Sequence, residues 1–199
     1  GMGKSTPKRP DLLSLVLATI AEAPRLVLDA DALNLLAEPD ALEAGRAALR
    51  ARTQSGLEPA ILTPHPGEFR RLCPEMAAMV EHDRIASAEA LAELTASVVV
   101  LKGAGTVIAF PPEQGKQGVW INTSGNAGMA KAGSGDVLSG LLGSLLAQRL
   151  PLREAVCAAV YLHGLAADLQ ADLQTERALT PEDIILGLPS AFRQVGWDK

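Results

Sequence analysis

Residues 121–146, INTSGNAGMAKAGSGDVLSGLLGSLL, hold the pattern in this chain with the most chemistry in it. An apolar run ends at Asn122, and a loop carrying Gly125, Gly128, Gly133 and Gly135 follows. A helix with an apolar face is then predicted to start near Ser134 to Asp136. Small residues let backbone N–H groups approach a ligand closely, and a helix N-terminus adds roughly half a positive charge aimed at it. Together they make an anion site. Asp136, at the same helix start, has two readings. Aspartate often caps helices, and a carboxylate beside a phosphate-binding loop can take the proton of a hydroxyl that attacks phosphate. The length of the loop and its glycine density favour the second.

Three other stretches carry candidate groups. In HPGE (65–68), Pro66 suits a first helical position and Glu68 can bond back to the helix start, a capping device that needs no further function. LKGAGT (101–106) follows a buried-strand pattern and turns into another strand, so a plain hairpin with glycine in its turn accounts for it. There Lys102 is either a solvated strand-end lysine or a point charge for phosphate. In DADALN (29–34), Asp29 ends a strand, where α/β sites gather, and Asp31 is expected to cap the short helix that follows. The opening GMGKST suggests the tail of a P-loop. That motif needs an earlier glycine and a preceding strand, whereas Pro7 and Pro10 follow within a few residues and oppose the helical turn. His163 falls on the apolar side of a helical pattern and reads as a hydrogen-bonded core residue, and His82 as a surface one.

The elements that must position these groups follow from periodicity. Short β-branched and aliphatic runs at 25–30, 59–62, 98–102, 106–110 and 118–122 alternate with longer helical patterns, which is the signature of an α/β fold. Leu12, Leu13, Val16, Leu17 and Ile20 share one helical face, as do Val137, Leu138, Leu141, Leu142, Leu145 and Leu146. A further helix is predicted after Pro151. Another is predicted after Thr180, an N-cap candidate with Pro181 at the first position and Asp183 in the first turn. The Gly/Pro clusters at 111–118 and 122–135 read as loops inside one domain spanning residues 1–199.

Composition sets the class. A chain of 199 residues with 48% hydrophobic residues can build a sizeable core, and a net charge of −5 opposes a general nucleic-acid binder. The apolar runs are too short for a membrane span and the start lacks the apolar stretch of a signal peptide, so a cytoplasmic protein is expected. Cys73 and Cys157 lie far apart without CxxC spacing and read as reduced, packed thiols.

NTSGNAGMAKAGSGD resembles the signature N-x-T-G-N-P-G-M-A-x-x-G-T-G-D of the NAD(P)H-hydrate dehydratases, a branch of the ribokinase-like superfamily. VLDADALNLLA (27–37), LTPHPGEFRRL (62–72), VVLKGAGTVIAFP (99–111) and AVYLHGLAADL (159–169) occur in that family's order at similar spacing. The resemblance implies a three-layer α/β/α sandwich with a mostly parallel central sheet. It also implies repair of hydrated NADH or NADPH: a nucleotide phosphorylates the added hydroxyl and phosphate is then eliminated. ADP serves many bacterial relatives and ATP eukaryotic ones, with Mg²⁺.

By the same resemblance Asp136 is the catalytic base and touches substrate, and His65 contacts the hydrated nicotinamide cofactor. Glu68 lies near the magnesium and phosphate region. Lys102, Gly103, Ala104, Gly105 and Thr106, with Asn126, Gly133 and Gly135, contact the nucleotide. His65 stands where related vitamin and sugar kinases carry asparagine. Ala127, Lys131 and Ser134 are mild departures from the signature. The opening GMG looks like the family's G-L-G cofactor loop at the very edge of the chain, with Gly3 its surviving contact, so an N-terminally incomplete domain is expected. A homo-oligomer is expected as well. The rival readings are a small-molecule kinase for vitamin precursors and an inactive nucleotide-binding remnant.

Overall fold

The computed structural model describes residues 10–113 and 116–197, so the GMGKST stretch and the expected contact at Gly3 lie outside the described residues. In chain order the elements are α1 (Pro10–Glu22), β1 (Val27–Leu28), α2 (Asp31–Leu36), α3 (Leu42–Gln54), β2 (Ile61–Leu62), α4 (Pro66–Leu72) and α5 (Arg84–Thr95). They continue with β3 (Val98–Leu101), β4 (Val107–Glu113), β5 (Lys116–Ile121), α6 (Ser134–Ala147), α7 (Leu152–Leu173) and α8 (Pro181–Gln194). Each of the five apolar runs read as strands forms one, and the helices expected around residues 12–20, after SGD, after Pro151 and after Thr180 all form.

The chain divides into two compact units. The first takes in the described residues up to Gly103 together with Val107–Trp120. Its sheet has the order β1-β2-β3-β4-β5. β1, β2 and β3 are parallel, with Val27 opposite Ile61, Leu28 opposite Leu62, Ile61 opposite Val98 and Leu62 opposite Val99. Parallel neighbours need long crossovers, which the helices between these strands supply. β4 returns antiparallel to β3, with Leu101 opposite Val107. Val98 to Leu101 are all buried, as a strand covered on both faces requires. Ile20, Leu33, Leu36, Leu49, Phe69 and Leu91 build one core with Val99 and Leu101.

Arg52, on α3, is 1% exposed. Its guanidinium donates to the carbonyls of Ile20 (2.8 Å), Ala23 (2.7 Å), Pro24 (3.0 Å) and Glu58 (2.7 Å). One side chain thereby closes the last turn of α1 and the chain that leads into β1 and β2. Burial pushes the Arg52 pKa below its ordinary value and neighbouring Glu58 pushes it back up.

The second unit comprises Ala104–Thr106 and the described residues from Ile121 onward. Here α7 packs on α8 and α6 lies against both. The approach of α8 to α7 is backbone-close: a Cβ on Gly187 would sit 2.5 Å from the Ala166 carbonyl oxygen. α8 starts as the sequence predicts, with Thr180 and Asp183 exchanging bonds in a capping box and Pro181 at the first position. Among the described residues no helix is long and apolar enough to cross a membrane. Cys73 and Cys157 are free thiols, and burial pushes both pKa values up to about 11, away from reactivity.

Candidate active site

The ends of three adjacent parallel strands deliver one cluster in the first unit, the place where open α/β sheets gather ligands. Asp29 follows β1, His65 comes shortly after β2 and Lys102 follows β3. The Lys102 Nζ lies 2.7 Å from Asp29 Oδ1 and 3.9 Å from Glu68 Oε2. Its backbone N–H donates to the Pro64 carbonyl at 2.9 Å. Lys102 is therefore not the solvated lysine of one reading: it is ion-paired across the strand ends.

HPGE is a capping box in full. His65 is the N-cap of α4, and its Nδ1 accepts from the N–H groups of Gly67 (2.9 Å) and Glu68 (3.3 Å). The Glu68 carboxylate accepts the His65 N–H at 2.8 Å and is only 5% exposed. An Nδ1 that accepts is unprotonated, so neutral His65 carries its proton on Nε2, and the ring is 52% exposed. Partial burial pushes the His65 pKa below its ordinary value; Glu68 opposes this, while Lys102 and Arg71 add to it. Among the described residues no group of three or more His, Cys, Asp or Glu side chains could hold a metal ion. Glu68 accepts the cap bond through Oε2.

DADALN corrects one expectation. The N-cap of α2 is Ala30 with no side-chain cap bond, and Asp31 is the first helical residue. Ala30 lies at φ 49° and ψ −113°, a region costly for a residue with a Cβ. Asn34, left unassigned by the sequence, accepts from Arg71 Nε (3.1 Å) and Nη2 (2.7 Å).

LKGAGT forms the connection between β3 and β4, as the hairpin reading expects. Lys102 and Gly103 belong to the first unit. Ala104, Gly105 and Thr106 belong to the second, where the Thr106 carbonyl accepts the Asn122 N–H at 2.9 Å.

The second unit holds the glycine-rich loop. Ser124 Oγ donates to the Tyr161 carbonyl at 2.7 Å. Gly125 N–H and Asn126 Nδ2 both donate to the Asp168 carboxylate, at 2.7 and 2.9 Å. Asn126 Oδ1 accepts the Gly128 N–H at 3.0 Å. A Cβ on Gly128 would fall 2.3 Å from the Glu176 carbonyl oxygen, so only glycine fits there. Lys131, the added charge in the loop, donates to the carbonyls of Arg177 (2.8 Å) and Leu179 and ties the loop to the segment before α8.

The loop ends at Gly133, which takes φ 95° as the N-cap of α6 and offers no side-chain cap. The N–H groups of Gly135 and Asp136 have no acceptor among the described residues. Ser134 is 7% exposed and its buried Oγ has no hydrogen-bond partner among the described residues. Asp136 is exposed in the first turn, and its carboxylate has no hydrogen-bond partner among the described residues. The simple N-cap reading of Asp136 therefore fails, because Gly133 holds that position. What remains is an uncapped helix start with donors aimed outward beside an uncommitted carboxylate.

The structure brings His65, Glu68 and Lys102 into one cluster. It brings Asn126, Gly133, Gly135 and Asp136 into one loop and helix start. Sequence reasoning missed Asp168. The available signal was an acid one turn after Gly164 within α7, a glycine in a helix interior where a close approach was to be expected.

The sequence profile of the NAD(P)H-hydrate dehydratase family matches residues 1–189. Over 144 residues the chain is 46% identical to the ADP-dependent (S)-NAD(P)H-hydrate dehydratase of Neisseria meningitidis serogroup B, a match that covers 72% of this chain and 45% of that protein. Over 189 residues it is 42% identical to the bifunctional NAD(P)H-hydrate repair enzyme Nnr of Gloeobacter violaceus, covering 94% of this chain and 33% of that protein. The chain thus spans less than half the length of these curated relatives. Among solved structures, a ribokinase-like superfamily protein from Enterococcus faecalis superposes with a TM-score of 0.69 at 28% identity, covering 92% of this chain and 57% of that one.

Proposed function

The chain belongs to the NAD(P)H-hydrate dehydratase family with a ribokinase-like fold, and from that membership we propose that it restores hydrated NADH or NADPH with ADP or ATP as phosphoryl donor. The observation that carries the proposal is the start of α6. Among the described residues the N–H groups of Gly135 and Asp136, the buried Ser134 hydroxyl and the Asp136 carboxylate have no hydrogen-bond partner, and all lie within a single helical turn.

In the proposed reaction the ring hydroxyl attacks the terminal phosphorus of the nucleotide, and Asp136 takes its proton. AMP leaves from ADP, or ADP from ATP. The carbon–oxygen bond then breaks with loss of phosphate and a ring proton, and the dihydropyridine is restored. The N–H groups at the helix start stabilise the charge that builds on the transferring phosphoryl oxygens. His65 offers its Nε2–H to the substrate as a neutral donor. Gly133 and Gly135 contact the nucleotide in this reading, as do Asn126 and the residues from Lys102 to Thr106. Mg²⁺ would arrive with the phosphates, as it commonly does, and no step is assigned to Glu68. A homo-oligomer and a cytoplasmic location complete the proposal.

Asp136→Asn keeps shape and removes the base, and it is expected to lower turnover by about 10²–10⁴-fold while nucleotide binding persists. Restored dihydronicotinamide read by absorbance measures it, and near-normal turnover in that variant would remove Asp136 from this role. No observation favours a small-molecule kinase over this reading.

A further inference from the structure

Tyr161, Gly164 and Asp168 fall three and four residues apart on α7, so they share one helical stripe. Each holds the glycine-rich loop. The Tyr161 carbonyl accepts Ser124 Oγ at 2.7 Å. Gly164 lets the loop backbone so close that a Cβ would sit 2.3 Å from Ser124 Oγ and 2.6 Å from the Ser124 carbonyl carbon. Asp168 takes the Gly125 N–H through one oxygen and Asn126 Nδ2 through the other.

The polarity of this network is set from one end. An ionised carboxylate only accepts, so Asp168 dictates which end of the Asn126 amide faces it. Asn126 Oδ1 is thereby turned to the Gly128 N–H, at 3.0 Å. With the amide reversed, Oδ1 would meet the carboxylate and Nδ2 would meet the Gly128 N–H, so two repulsive contacts would replace two bonds. An amide at position 168 can accept from Gly125 with its oxygen, but its NH2 then confronts Asn126 Nδ2.

We propose that Asp168 is a positioning residue for the nucleotide loop. Through Asn126 it fixes the backbone of residues 124–128 in the shape that leads into Gly133 and α6. Asn126 acts in this account as a strut with one donor and one acceptor already engaged. The inference rests on the nucleotide-dependent reading above for its functional consequence and on the hydrogen-bond network for its structural one.

The test compares the 199-residue chain with Asp168→Asn and with the exchanged pair Asn126→Asp/Asp168→Asn. In that pair the amide placed on α7 can accept from Gly125 and donate to the carboxylate placed in the loop, which in turn accepts from Gly128. Three quantities are read: amide exchange at Gly125 and Gly128, ADP affinity by calorimetry, and the thermal midpoint. Asp168→Asn is expected to speed exchange at both glycines and weaken ADP about tenfold or more, with little change in midpoint. The exchanged pair is expected to restore protection. Unchanged protection in Asp168→Asn, or freed glycines with ADP affinity within about twofold of the parent, would overturn the proposal. If the parent binds ADP yet never restores the hydrated cofactor, the dehydratase reading fails while the Asp168 comparison still stands or falls on its own affinities.

Discussion

Arg52→Met is the sharpest test of what holds the first unit together. The parent side chain is fully buried and satisfies four carbonyls drawn from the end of α1, the chain after it and Glu58. Hydrogen bonds from a charged group contribute about 1.5–3 kcal/mol each, so four would sum to roughly 6–12 kcal/mol if taken at face value. That sum is an upper bound. Methionine keeps much of the apolar contact, removes a buried charge whose desolvation opposes folding, and lets water reach some of the abandoned carbonyls. Breaking a buried charge network at one partner costs about 3–5 kcal/mol in comparable cases, and we adopt that range. It is a large part of the roughly 5–15 kcal/mol that typically separates folded from unfolded chains. Urea unfolding should show the midpoint falling by about 1.5–2.5 M for a slope near 2 kcal/mol/M. Arg52→Lys keeps the charge but cannot span four acceptors, so it should fall between parent and Arg52→Met. A midpoint shift below about 0.5 M in Arg52→Met would refute the reasoning.

Two further outcomes follow from backbone and titration. Ala30→Gly should raise stability by about 1 kcal/mol, because relief of the φ 49° strain exceeds the added chain entropy; a lower urea midpoint would contradict this. His65 has a folded pKa below its ordinary value, so its capping contribution is complete above about pH 6.5 and is lost as pH falls from there through the lowered folded value. His65→Asn retains an N-cap acceptor that does not titrate, so the parent should lose stability relative to that variant over that window. Parallel pH profiles for the two would contradict the assignment.

Much of the scaffold was legible because it is written in local pattern. VVVL declares a strand buried on both faces, Thr180-Pro181-x-Asp183 declares a helix start, and HPGE declares the capping box that forms around His65. What the sequence did not show is the pairing of polar groups whose partners lie far along the chain. Lys102 pairs with Asp29 at a separation of 73 residues, Asn126 with Asp168 at 42, and Arg52 with Ile20 at 32. No periodicity carries such pairings. Arg52 in particular stands in the last turn of α3, where a basic residue ordinarily meets the helix dipole in water. Asp31 failed as a cap because the chain turns one residue earlier, at Ala30, through a conformation that alanine does not advertise. The glycine-rich loop and the start of α6 were legible because glycine spacing and a helix start are both local signals.

The most direct test of the central claim is product stoichiometry in a single turnover of the 199-residue chain with hydrated NADPH, Mg²⁺ and ADP or ATP. The account predicts one restored dihydronicotinamide, one phosphate and one shortened nucleotide appearing together, with Asp136→Asn suppressing all three. A stable phosphorylated organic product with no ring restored, or ring restoration without nucleotide consumption, would contradict it.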